Sequence, residues 1–221
     1  MRTRTSSRSV STSNIRFLTD LEKVELFYQI NSDCTKYALR NKAIFYIAKY
    51  CALRASEVGL ITLNDYNPFT GTIHCHRLKG SKDNTLRIVD PYILTIINQY
   101  YYSSLRETLA IKANAKSEYL FVSQKGKPIS RKMLDVIMKR YCKKTTIPSD
   151  KRHFHVLKHT RAMELIKYGE FKLNDIQWWL GHKNISNTMI YLEFTADAMN
   201  HLFEALSKYE NNNKECENYA H

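Results

Sequence analysis

Residues 153–191 read HFHVLKHTRAMELIKYGEFKLNDIQWWLGHKNISNTMIY, and this stretch decides the fold. Its apolar residues recur at helical spacing over about 156–168, 172–181 and 185–192, and Gly169 and Gly181 separate the runs as helix stops. His155, Lys158 and Arg161 stand three apart, so a helix over 156–168 sets them one turn from each other. His182 follows the second glycine, and Tyr191 comes nine residues later. Imidazoles, cations and a late phenol thus gather at the ends of consecutive helices.

Working outward, the N-terminal half gives more helix. Thr19 and Glu22 form a T-x-x-E capping box ahead of a short helix with Leu21, Val24 and Leu26. Leu39, Ala43, Ile47 and Cys51 repeat four apart in a longer helix, from about Lys36 to Leu53, with Arg54 just beyond its end. Ala55 to Leu63 reads as another short helix. The period then changes. Thr72 to Leu78 and Thr85 to Val89 are β-rich and flank Lys-Gly-Ser-Lys-Asp-Asn, the pattern of a hairpin with a flexible tip. Helix resumes from Tyr92 to about Leu109, Tyr119 to Val122 reads as a short strand, and Gln124 to Pro128 as a turn. Ser130 to Lys144 is helical, with Met133, Ile137 and Tyr141 expected inward. The fold class is therefore mainly α (α+β), with a small antiparallel three-stranded sheet.

Composition narrows the partners. Hydrophobic residues make up 43% of the chain, enough for a core, and no run reaches the roughly 18 apolar residues a membrane span needs. Cys34, Cys51, Cys75, Cys142 and Cys216 are odd in number and form no CxxC pair, which points to reduced intracellular thiols. The formal charge of +13 is unevenly placed: from Lys125 to Arg161, twelve Lys or Arg face only Asp135 and Asp150. Such a concentration favours a polyanion, and the want of a neighbouring aromatic amphipathic face favours nucleic acid over membrane. Lys139, Arg140, Lys143 and Lys144 on the basic helix, with Lys82 in the hairpin, are the candidate DNA contacts; the competing reading is a solvated helix face. Residues 1–15 read as a flexible basic arm and 210–221 as a polar tail.

Arg54, Lys79, His155, Lys158, His182 and Tyr191 together suit attack on a phosphodiester without a metal or other cofactor. A guanidinium fork matches two phosphate oxygens, an ammonium can protonate a leaving oxygen, and the phenol can act as nucleophile. With fifteen tyrosines in the chain, composition does not select Tyr191. A metal cluster of His153, His155 and His159 is disfavoured, since no HExxH and no acidic third ligand accompany the pair. His74 and His76 alternate on a strand and share one exposed face.

These residues also carry a resemblance. Ala52-Leu-Arg54-Ala-Ser-Glu57-Val58, His155-Val-Leu-Lys158-His159, Leu180-Gly-His182 and Tyr191, with a hairpin Lys79-Gly80 after Arg54, resemble the signature boxes of tyrosine recombinases, the phage-integrase family. The likeness covers roughly residues 16–206 and implies a catalytic domain over 16–209. It does not extend to the separate N-terminal DNA-binding domain of most members, so the chain looks more like compact fimbrial-type invertases. The resemblance implies strand exchange on duplex DNA through a 3′-phosphotyrosyl bond. It implies four protomers on paired sites, in the cytoplasm of a prokaryote or encoded by a mobile element. Arg54, His155 and His182 would hold the phosphate, Lys79 protonate the 5′ oxygen and Tyr191 attack. The chain departs at Lys158, where the family's second arginine should stand; either Lys158 acts directly or Arg161 substitutes. Topoisomerase chemistry and a non-catalytic DNA-binding regulator are the alternatives. Beyond Tyr191, Met199, Leu202, Phe203 and Leu206 give a helix over about 197–209 an apolar stripe, which either packs back on its own domain or, as the resemblance implies, docks on a neighbouring protomer.

Overall fold

The computed structural model describes residues 15–78, 80–111, 118–168, 170–194 and 206–207. Helix α1 (Asp20–Asn31) opens with the expected capping box: Thr19 Oγ1 accepts from Glu22 N at 3.3 Å and Glu22 Oε2 from Thr19 N at 2.7 Å. Helix α2 (Ala38–Tyr50) is the centre of the molecule. Its Ala43, Ile44, Phe45, Ile47 and Ala48 are fully buried, and the Ile and Phe side chains each contribute roughly 1.5–3 kcal/mol when removed from water. The chain leaves α2 through a left-handed residue. Ala52 takes φ 52°, while Leu53 N bonds Ala48 O at 2.9 Å and Ala52 N bonds Lys49 O at 3.2 Å. This is the closure that glycine usually supplies. It turns the backbone sharply and delivers Arg54 to the start of α3 (Ala55–Val58), which is shorter than the expected 55–63.

Strands β1 (Tyr66–Asn67), β2 (Thr72–Cys75) and β3 (Asn84–Arg87) form an antiparallel sheet in that order, with Ile73 opposite Leu86 and His74 opposite Thr85. The third strand is thus β1 and not Tyr119–Val122. The backbone there is satisfied by single bridges, Thr62 with Tyr119 and Val122 with Pro128, which leave no ladder to extend. The expected long helix after Tyr92 is two, α4 (Pro91–Tyr101) and α5 (Ser104–Ile111), broken where Ser103 Oγ donates to Tyr100 O at 2.7 Å.

Helix α6 (Arg131–Tyr141) buries Leu134, Ile137, Met138 and Tyr141, and a 3₁₀ turn over Cys142–Lys144 follows. Ile137 and Tyr141 point inward as expected, but Met133 is 40% exposed, because Leu134 takes the inward place in that turn. Helices α7 (Val156–Tyr168), α8 (Leu173–Leu180) and α9 (Ser186–Met189) complete the chain up to Tyr191. Two hydrophobic clusters result, a large one around α2 and a small one of Ala52, Ala162, Leu165, Ile176, Leu180 and Tyr191 among others. No described helix is long and apolar enough to cross a membrane. The stripe over 197–209 lies outside the described residues except Leu206 and Ser207.

Gly181 decides how the hairpin meets α8. At φ 67° it ends the helix, and a Cβ there would lie 2.8 Å from Lys82 O and 2.9 Å from Arg77 Cγ. Gly181→Ala is expected to destabilise the protein by about 1–3 kcal/mol through strain and displacement of the hairpin. Urea unfolding checks this; an unchanged midpoint would show that the hairpin does not depend on this close approach.

Candidate active site

Arg54 is held before any ligand arrives. Its Nη1 donates to Glu57 Oε1 at 2.6 Å, to Leu78 O at 3.0 Å and to Ser81 Oγ at 3.1 Å, and its backbone N to Glu57 Oε2 at 2.9 Å. Glu57 is fully buried in its side chain and also meets Arg77 Nη1 at 3.4 Å and Leu78 N at 3.1 Å. Burial alone would raise its pKa, yet Lys158, Arg54 and Arg77, with a hydrogen bond from the Arg54 backbone, hold it below the usual carboxylate range. Arg54, Ala55, Ser56, Arg131, Asp135, His153 and His155 line a cleft of about 200 Å³ beside this network.

From His155 a run of rings leads inward. His155 and His159 lie edge to face with centroids 4.6 Å apart, and His159 Nδ1 is 2.8 Å from the Tyr191 hydroxyl. On the far side the His182 ring is parallel to Tyr191, with centroids 6.5 Å apart. His182 is aimed from both ends: its backbone N bonds Gln177 O at 3.0 Å, and its Nδ1 is 2.9 Å from Thr188 Oγ1. Burial, reinforced by nearby cations, lowers the His155 and His182 pKa values to about 3 and that of His159 to about 4. Tyr191 is 1% exposed, and burial pushes its pKa up, opposed only by the charge of Arg54. Near neutral pH the site therefore holds neutral imidazoles and an un-ionised phenol.

The structure brings together Arg54, His155, Lys158, His182 and Tyr191. Lys158 is 2% exposed and its Nζ donates to Leu180 O at 3.0 Å, capping a carbonyl at the C-terminus of α8. Burial first, then Arg77 and Arg54, depress its pKa well below the ordinary lysine value. Arg161 is not part of the cluster. Its Nη1 pairs with Glu164 at 3.3 Å, and its guanidinium lies 5.2 Å from the ring centroids of both Tyr50 and Trp179. Lys79 lies outside the described residues. Lys82 is exposed, and its backbone N donates to Gly181 O at 2.9 Å.

Among the candidate DNA contacts, Lys139, Lys143 and Lys144 are exposed, whereas Arg140 is engaged by Asp33 at 2.8 Å. They sit at the far end of α6, roughly 12 Å along the helix from the cleft. The cleft end carries Arg131, whose side chain is 71% exposed and which the charge count alone did not single out. His159, Glu57 and Arg77 were also missed as site residues. His159 was signalled by its place one helical turn after His155, but its partner, Tyr191, is 32 residues away.

Mainly helical packing around a small sheet, with a part-buried arginine and imidazoles at a cleft and a phenol sealed behind them, defines the class. Residues 16–198 match the Phage integrase family, and the chain belongs to it. It is 30% identical over 194 residues to tyrosine recombinase XerC of Lacticaseibacillus casei (strain BL23), covering 88% of this chain and 62% of that protein. The chain thus spans about three fifths of the length of that relative. In fold it is similar to the XerA recombinase, with TM-score 0.67 and 23% identity over 86% of this chain and 64% of that one. It is equally similar to the XerH site-specific recombinase in a post-cleavage complex with its palindromic difH substrate, with TM-score 0.67 and 21% identity over 92% and 56% of the two chains.

The buried imidazoles set a pH dependence. Their folded pKa values lie below the ordinary 6.5, so between pH 6.5 and about 4 the unfolded chain binds more protons than the folded one. Their contribution is fully present above pH 6.5 and is lost as pH falls toward the folded values. Urea midpoints measured down this range are expected to drop, and His159→Gln should make the fall shallower. A curve with the same slope in that variant would mean that His159 is not neutral in the fold.

Proposed function

We propose that this protein is a site-specific DNA recombinase that cuts and rejoins duplex DNA through a 3′-phosphotyrosyl bond on Tyr191. The observation that carries the proposal is Tyr191 held 2.8 Å from a neutral imidazole, within the field of a preorganised arginine. A phosphodiester over Arg54 and His155 would bring negative charge beside the imidazoles and raise their pKa, making them better proton acceptors. The phenolic oxygen then bonds to phosphorus, its proton passes to an imidazole, and the bond to the 5′ oxygen breaks. Lys79 supplies the proton to that oxygen. No metal or cofactor enters these steps. Because the hydroxyl is sealed in the small cluster, it has to leave His159 before it can reach the cleft.

A covalent protein–DNA band on a nicked suicide substrate is the test. Tyr191→Phe removes only the hydroxyl, so folding and DNA affinity should persist while the band disappears; a surviving band would move the nucleophile elsewhere. Lys158 is favoured over Arg161 as the replacement for the second family arginine, because its buried Nζ lies within the site, donating to Leu180 O at 3.0 Å, whereas Arg161 is held by Glu164. Lys158→Ala is expected to abolish the band, Lys158→Arg to keep or raise it, and Arg161→Ala to cost little. A mild Lys158→Ala would reverse this assignment. Absence of the band from the unaltered chain, with tight DNA binding retained, would favour the regulator. Exchange between two labelled duplexes separates recombinase from topoisomerase.

Binding should weaken steeply with salt as lysines and arginines displace counterions. Neutralising Lys139, Arg140, Lys143 and Lys144 together is expected to flatten the log–log slope by about three, since roughly 0.9 is lost per phosphate contact and Arg140 is already paired. Filter binding across a salt series measures it; an unchanged slope returns those residues to a solvated face.

Assembly is proposed as four protomers on paired sites, in the cytoplasm of a prokaryotic host. The stripe of Met199, Leu202, Phe203 and Leu206 would lie in a neighbour's apolar groove formed by Leu165, Phe171, Ile176, Trp178 and Trp179. Phe171 and Trp178 are each about half exposed there. Cutting after Thr195 should leave a folded chain that binds one site but neither assembles nor cleaves efficiently. Size measurement on paired sites decides, and full assembly of the shortened chain would exclude the docking.

A further inference from the structure

The hairpin carries a set of ligating atoms that phosphoryl transfer leaves unused. His74 is on β2 and His76 just beyond it, two residues on, so both project from one face; their ring centroids are 4.8 Å apart. Asp83 stands across the hairpin, immediately before β3. One nitrogen of each ring, and one oxygen of the carboxylate, are already committed. His76 Nε2 is 2.9 Å from Asp65 Oδ1, so it donates to a carboxylate and its Nδ1 keeps a lone pair. Asp65 is itself fixed, its Oδ2 accepting from Thr62 N and Oγ1 at 2.7 Å each. His74 Nδ1 meets Thr85 Oγ1 at 3.1 Å, and Asp83 Oδ1 accepts from Arg77 N at 2.7 Å.

The uncommitted atoms converge. Asp83 Oδ2 is 3.7 Å from His76 Nδ1 and 4.0 Å from His74 Nε2, and one donor atom from each residue falls within 4.8 Å of the others. Around an ion with bonds of roughly 2.0–2.1 Å in a tetrahedral sphere, neighbouring donors stand about 3.3 Å apart. Asp83, 48% exposed, has room to close its own gaps of 3.7 and 4.0 Å, and the two ring nitrogens, within 4.8 Å of each other, would have to approach by up to about 1.5 Å through rotation of the half-exposed rings. A carboxylate behind a ligating histidine, as Asp65 is behind His76, is the usual device for fixing the ring and raising its basicity. Two imidazoles with one carboxylate suit a borderline transition ion and not the all-oxygen preference of calcium or magnesium.

We propose that His74, His76 and Asp83 form a binding site for one divalent transition ion of the zinc class, with water completing its coordination. The ion would join the end of β2 to the start of β3 and so brace the base of the hairpin that bears Lys82 and packs on Gly181. Its ligands are none of the residues of the Arg54–Tyr191 cluster, which it meets only through the bond from Arg77 N to Asp83, and it takes no part in the chemistry there.

Calorimetric titration of the full chain with Zn²⁺ in reducing buffer tests it, without reference to activity. One equivalent is expected to bind and to raise the melting temperature. Asp83→Asn should weaken binding at least tenfold, and His74→Gln with His76→Gln should abolish it. Asp65→Asn should cost about 10–100-fold, as loss of a supporting carboxylate does. Cys34→Ser, which removes the exposed thiol among the described residues, should bind as before. Circular dichroism without the ion establishes that the variants fold. If the double histidine variant does not fold, the exposed Asp83 substitution decides alone. No binding by the unaltered chain, or binding unchanged by Asp83→Asn, overturns the proposal.

Discussion

Glu57 is the one buried carboxylate on which the arrangement of the site depends. Removing such a group from water costs several kcal/mol unless it is paired and hydrogen-bonded, and here it has two guanidiniums and two backbone N–H groups. The partners come from two pieces of the chain, the turn after α2 and the hairpin. Arg54 comes from the turn after α2, Arg77 from the strand side of the hairpin, and Leu78 from the segment leading to its tip. A helix of only four residues has little stability of its own, so α3 is positioned by this ion cluster more than by helix propensity. Arg77 extends the same tie to Cys51 O, Ala52 O and Trp179 O, which joins α2 and α8 to the hairpin. With Arg54 and Arg77 opposing a single carboxylate, the network keeps a surplus of positive charge at the edge of the cleft. Burial first, and that surplus second, hold the pKa of Lys158, a third cation in the same enclosure, well below the ordinary lysine value.

The nucleophile is governed by the opposite physics. Tyr191 belongs to an apolar cluster, and the burial that makes it part of the core also disfavours its phenolate and the charged forms of its histidine neighbours. The site is thus in two halves, a cationic half prepared for an anion and a neutral half in which the phenol rests. His159 bridges them, meeting His155 edge to face at the cleft and bonding the hydroxyl inside. A bound phosphate changes this balance because its charge favours the protonated imidazoles that burial now opposes.

The hairpin connects these halves to the surface. Its backbone passes close to Gly181, bonds there through Lys82 N, and so shares a boundary with the turn that aims His182. Whatever holds the base of the hairpin, the Asp65–His76 pair or an ion bound beside it, acts on the same boundary.

Much of this was legible in the sequence because it is local. The capping box at Thr19 and Glu22, the helix stop at Gly181, the hairpin around residues 79–84 and the four-apart apolar face of α2 are set by neighbours within a turn or two. The order of Arg54, His155, Lys158, His182 and Tyr191 likewise identifies the family, since those residue types at those spacings have few other uses. Tertiary structure decided what depends on contacts across many residues. The third strand became β1 because the Tyr119 segment found single partners at Thr62 and Pro128, and Met133 turned outward because α6 packs on α1 and α3 through Leu134, Ile137, Met138 and Tyr141. Arg161 shares a helix face with Lys158 in sequence, yet Glu164 and the rings of Tyr50 and Trp179 draw it away. Spacing along a helix states which residues can face the same way; only the packed neighbours determine which of them are already spent.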